Sequence, residues 1–202
     1  MDRSDVRARP PQHPIARSRR SSSPASRVLT TATVAGLLLG PLDLLAQTTL
    51  PYPWANLANS AAVWALVAFA VGATVWPAAK SAVAGLVLLP IAVETYYLAG
   101  VVVRHDSTTT LWSATTGLWL VIAVVVGPLF GFAGGGLRSS RRAIRFAAAA
   151  CAGSVFLLEA VAILARSHVA GGSDGSGQTA AIEIALAVAV PLIALAAARR
   201  RR

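Results

Sequence analysis

Four carboxylates stand inside otherwise apolar runs of this chain: Asp43 in "LLLGPLDLLAQ", Glu94 in "LPIAVETYYLAG", Glu159 in "VFLLEAVAI" and Glu183 in "AAIEIALAVAV". A carboxylate near the centre of a bilayer costs on the order of 2.5 to 3.5 kcal/mol on insertion scales, so each must face protein or water. Groups so placed can hold a cation or a proton, or make charge-assisted hydrogen bonds to a polar solute. The competing reading is that they only bond neighbouring helices to one another. Asp43 and Glu94 each lie within one helical turn of a proline, Pro41 and Pro90, as is usual where helices bend around a site.

Aromatic residues fall into two sets. Tyr52, Trp54 and Trp112 sit at the edges of apolar runs, where an interfacial belt is expected. Trp64, Tyr96, Tyr97 and Trp119 lie deeper. With the acids, they could line a cavity suited to an organic cation or a polar heterocycle, through cation–π and charge-assisted contacts; ordinary packing is the alternative.

Catalytic chemistry finds no footing. The chain has no HExxH, no phosphate-binding glycine loop, and no histidine inside a span to partner the serine of "AGSVF". The single cysteine, Cys151, excludes an intramolecular disulfide and a cysteine-built metal site. His105, Asp106, His168 and Asp174 fall in connecting loops and read as solvated residues rather than metal ligands. We expect no enzyme, no metal and no cofactor.

The elements that must position these residues follow from composition. Of 202 residues, 55% are hydrophobic and 13% charged, and mean hydropathy is +0.63, outside the range of soluble domains. Six runs are long enough to cross a bilayer at about 20 residues each: 29–50, 58–78, 81–103, 111–133, 143–165 and 180–198. The expected fold is an all-α polytopic bundle of six transmembrane helices over residues 28–198. A disordered basic arm, 1–27, precedes it and a basic tail, 199–202, follows.

Lys and Arg number seven in the arm, then none, one, one, four and one in the successive loops, and four in the tail. Alternate sides hold sixteen and two, which places both termini in the cytoplasm by the positive-inside rule. With that topology and 1.5 Å of rise per residue, Asp43, Glu94, Glu159 and Glu183 sit roughly 5, 3, 8 and 9 Å from the span midpoints, all on the outer side. The four deeper aromatics fall roughly 4 to 8 Å above the midplane on the same side. The net charge of +10 is accounted for by topology and lacks the interleaved aromatics of a nucleic-acid face, so the expected partner of the basic segments is anionic lipid. Seventeen arginines against one lysine point to high-GC coding and a bacterial plasma membrane.

Ala32, Gly36 and Gly40 form an i, i+4 ridge of small residues on the first helix. It reads either as close packing within the bundle or as a docking face for a partner subunit.

The progression "LLLGPLDLLAQ…LP…LANSAAVWALVAFAVGA", followed by a helix with a Tyr-Tyr pair, resembles a family of small uncharacterised multi-spanning proteins of high-GC Gram-positive bacteria. That resemblance covers roughly residues 28–198 and implies no activity. More distantly, the size, the helix count and the ridge resemble the substrate-binding subunits of energy-coupling-factor vitamin transporters. There a first-helix ridge docks on a transmembrane coupling protein, which implies that role for Ala32, Gly36 and Gly40. The chain departs from those subunits in its acid-rich spans and basic arm. The expected function is non-enzymatic binding of a small solute by Asp43, Glu94, Glu159, Trp64, Tyr96, Tyr97 and Trp119, in a transporter component or small carrier. An accessory membrane protein without a ligand is the alternative.

Overall fold

A computed structural model of the chain describes residues 24–170 and 176–200. Among these the fold is all-α: α1 (Pro24–Thr49), α2 (Trp54–Ala58), α3 (Ala61–Gly72), α4 (Ala78–Val103), a short 3-10 turn (Thr108–Trp112), α5 (Ala114–Gly136), α6 (Arg142–Ala170) and α7 (Ser176–Arg200). Five of them, α1, α4, α5, α6 and α7, are long and apolar enough to cross a membrane, the mark of a membrane protein. The expected arm lies outside the described residues up to position 23, and positions 24–27 already belong to α1. Of the expected tail, Arg199 and Arg200 are the end of α7, while 201 and 202 lie outside the described residues.

The run expected to form a second span, 58–78, instead holds a 12-residue helix, α3, about 18 Å long at 1.5 Å per residue. Both ends have local causes. At its start Ser60 is extended and its side chain accepts from the backbone N–H groups of Ala62 and Val63, an N-cap that fixes where the helix begins. At its end the chain turns through residues 73–77 into Pro77. The Ser81 hydroxyl donates to the Val75 carbonyl at 3.0 Å and the Arg138 guanidinium to the Thr74 carbonyl at 3.0 Å. A hydropathy run registers apolarity and is blind to such stops.

The core is made of small residues. Ala32, Ala62, Ala65, Ala68, Ala84, Ala92, Ala152 and Ala160 are fully buried, whereas Leu38, Leu42, Leu158, Val121, Val188 and Ile193 point outward, each more than half exposed. Apolar liquid outside removes the usual drive to hide leucine, so small faces pack and large side chains meet lipid. The expected docking ridge is part of this packing. Ala32 is fully buried, and a Cβ on Gly36 would stand 2.6 Å from the Leu88 carbonyl oxygen and 2.9 Å from Ile91 Cβ, both on α4. Gly40 abuts Ala92, Thr95 and Tyr96 in the same way. α4 therefore covers Ala32, Gly36 and Gly40, and the ridge presents no open seat to a partner subunit. The Thr95 hydroxyl reinforces this seam, 3.1 Å from the Gly36 carbonyl oxygen.

α4 runs parallel to α1 and α5 antiparallel to α4, with Gly85 against Gly127 and Gly131 against Ser81, while α5 runs parallel to α3, with Trp64 and Trp119 at one shared cavity and Gly72 against Gly131 further along. α7 runs antiparallel to α6, with Gly153 against Ala187 and Pro191. One end of the bundle thus gathers Arg27, Lys80, Arg138, Arg141, Arg142, Arg145, Arg199 and Arg200. The opposite end carries the N-terminus of α3 and the polar groups described next.

Candidate functional site

Near the end opposite the arginines, α3, α4, α5 and α6 enclose a cavity of about 330 Å³. Trp64 from α3, Tyr96 and Tyr97 from α4 and Trp119 from α5 all line it, with Asn59, just ahead of α3, as the polar side chain beside them. Val93, Ile122, Phe130 and Val155 supply apolar wall. The rings are ordered against one another: Trp64 and Tyr96 meet edge to face at 6.1 Å between centroids, and Tyr96 and Tyr97 at 5.3 Å, both favourable quadrupole arrangements. Above Tyr96 the Arg104 guanidinium lies 5.8 Å from the ring centroid, held there by Asp106 at 2.7 Å. His105 makes this possible by ending α4 at φ 58°, which lets the Asp106 N–H reach back to the Gly100 carbonyl.

Asp43 stands behind the aromatic wall and is 5% exposed. One of its carboxylate oxygens accepts from the Gln47 amide at 2.8 Å, and that amide also reaches Asn59 at 3.2 Å. The Tyr96 hydroxyl donates to the Gln47 carbonyl oxygen at 3.2 Å, and Trp64 lies beside the Asp43 carboxyl. Asp43 thus orients Gln47, which in turn ties down Asn59 and Tyr96, two of the lining residues. The other Asp43 oxygen is buried and accepts from no described donor.

The remaining acids are placed differently. Glu94 is exposed on the outward face of α4, among Leu86, Leu98 and Val102, and does not line the cavity. Its register explains this: Ala92 and Val93 occupy the inward positions of that turn. Glu159 is not a lining residue either; it accepts from the Ser60 hydroxyl at 2.8 Å and the Ala62 N–H at 2.7 Å, capping α3 from the neighbouring helix α6. Glu183, which sequence reasoning left out of the site, is fully buried beside Glu159 and Ser60. Gln47, Asn59 and Arg104 were also missed. The first could have been found, because Gln47 follows Asp43 by four residues and so shares its helix face.

A larger groove, about 520 Å³, lies near the arginine-rich end between α3 and α7. Its lining is apolar apart from Arg138, so it lacks the convergent polar groups that would orient a solute. Among the loop residues, Asp106 is engaged with Arg104, the side chain of His168 and all of Asp174 lie outside the described residues, and no group of three metal-binding side chains occurs among the described ones.

No curated protein and no solved structure matches the chain. Residues 19–202 match the model of DUF6518, a family of unknown function, and the chain belongs to that family.

Proposed function

We propose that this protein binds a small planar solute with a polar edge, an organic cation or a heterocycle, in the cavity between α3, α4, α5 and α6, as a transporter component or a small carrier. One observation carries the reading: Trp64, Tyr96, Tyr97 and Trp119, from three different helices, converge on a single cavity of about 330 Å³. That volume is at the lower end of small-molecule sites. Indole and phenol rings offer π faces to a flat ligand or a cation. Asn59 and the tyrosine hydroxyls are positioned to read its polar edge, and Asp43 biases the local field towards positive charge from one shell behind. These groups bind and orient; we assign no reaction to them.

The setting we propose is the bacterial plasma membrane, with α3 and its flanking turns completing a sixth crossing and both termini in the cytoplasm. The gathering of basic residues at one end of the bundle supports that orientation, and it would put the cavity in the outer half. A second reading, an accessory protein without a ligand, draws support from the structural hydrogen bonds of Asp43 and Glu159.

The test is a thermal-shift screen of the purified protein against vitamins and amines. A ligand present at 100 times its Kd should add about 2.7 kcal/mol of stability and change tryptophan fluorescence, and Trp64→Ala should abolish both effects. If no compound shifts the wild type, or if the shift survives in Trp64→Ala, the cavity is not the site.

A further inference from the structure

We propose that Glu159 and Glu183 together hold one proton, at a site one helical turn from the aromatic cavity and distinct from it.

Glu183 on α7 is fully buried, and both of its carboxylate oxygens are sealed from solvent with no hydrogen-bond donor among the described residues. Its surroundings offer two oxygen-bearing groups, Ser60 and Glu159. Ser60 has one hydroxyl proton, and it is aimed at Glu159 at 2.8 Å. Glu159 also takes the Ala62 N–H at 2.7 Å and stands at the positive end of the 12-residue helix α3. The two members of the pair are therefore unequal. Glu159 has two hydrogen-bond donors that favour a negative charge. Glu183 has none, and a second buried negative charge beside the first would be both desolvated and repelled. A proton removes that charge and turns one acceptor into the donor the site lacks. Arg166, also on α6, makes no hydrogen bond to either Glu183 oxygen, so it does not replace the proton.

One turn along α7, buried Thr179 meets the Tyr52 hydroxyl at 3.0 Å, and Tyr52 is 41% exposed. The site also adjoins the cavity without sharing its lining: Val155 is one turn before Glu159 on α6, and Asn59 and Ala61 flank Ser60.

The chain contains three glutamates, Glu94, Glu159 and Glu183, so protein carrying 13C in its glutamate carboxyls gives a spectrum that single variants assign. In sodium-free buffer at neutral pH, the resonance lost in Glu183→Gln should have the shift of a protonated acid. Raising the pH should ionise the Glu183 signal and lower the melting temperature of the wild type. Glu183→Gln mimics the protonated form, so it should fold and show a smaller loss over the same range. Should Glu183→Gln fail to fold, the wild-type spectrum, with Glu94 and Glu159 assigned from their own variants, still decides the matter. An ionised Glu183 at neutral pH would overturn the proposal, and one that ionises only when sodium replaces choline would identify a metal cation in the proton's place and overturn it equally. No solute enters this experiment, so its failure leaves the cavity reading untouched.

Discussion

Replacing Gly36 by alanine adds one methyl group to the seam between α1 and α4. On the present backbone that methyl would lie 2.6 Å from the Leu88 carbonyl oxygen, where ordinary contact begins at 3.4 Å, so the helices must part locally by about 0.8 Å. Such a separation would stretch the Thr95 contact to the Gly36 carbonyl, now 3.1 Å, beyond hydrogen-bonding range. Overpacking of this kind costs about 1–3 kcal/mol and the lost hydrogen bond about 1 kcal/mol. The better helix propensity of alanine returns about 1 kcal/mol, leaving a net loss of about 1–3 kcal/mol. Gly36→Leu should exceed this and prevent folding. The measurement is reversible unfolding in mixed micelles followed by tryptophan fluorescence. Gly117→Ala on α5 serves as the control, because a Cβ there meets nothing within 4 Å and should be neutral or stabilising by up to about 1 kcal/mol. If Gly36→Leu unfolds at the wild-type midpoint, α4 does not cover the ridge, and its role as a partner seat returns.

Reporter fusions after Gly136 and at the C-terminus should report cytoplasm, and a fusion between Gly171 and Gly177 should report the outside; the reverse pattern would refute the proposed orientation. Ser60→Ala removes the N-cap of α3 and one of the two donors to Glu159, so unfolding measurements should show a loss of about 1–2 kcal/mol. Once a ligand is in hand, Asp43→Asn should keep the Gln47 contact through its amide oxygen and weaken binding of a cationic ligand more than of a neutral one, whereas Glu94→Gln should leave calorimetric binding unchanged.

Element type and order were legible in the sequence because long apolar runs admit little besides helix in a bilayer. What hydropathy missed was punctuation: "LANSAAVW" contains the Asn-Ser pair that starts α3, and Pro77 sets the start of α4. Depth along a helix can be counted from sequence, so the four aromatics that share a cavity were already at one level. Angular position was harder to read. The helices are apolar all round, so their pattern carries little information on which face turns inward, and Glu94 and Val93, one residue apart, ended on opposite sides of that divide. The partnership of Glu159 with Ser60 spans 99 residues and depends on how α6 lies against α3, which no local signal encodes.

A core built from alanine and glycine inverts the usual map of mutational tolerance. These residues have no rotamers to freeze, so bringing the helices together costs little side-chain entropy, while the leucines and valines that meet lipid keep their freedom. Fit between helices then rests on backbone shape, and the shape has no spare volume: a single added methyl at Gly36 or Gly153 collides with the neighbouring helix. On the outer surface, Leu38, Val121 or Ile193 can be exchanged for another large apolar residue at little cost, because lipid adapts to either. In this protein the smallest side chains are the irreplaceable ones, and drift in sequence should concentrate on the largest.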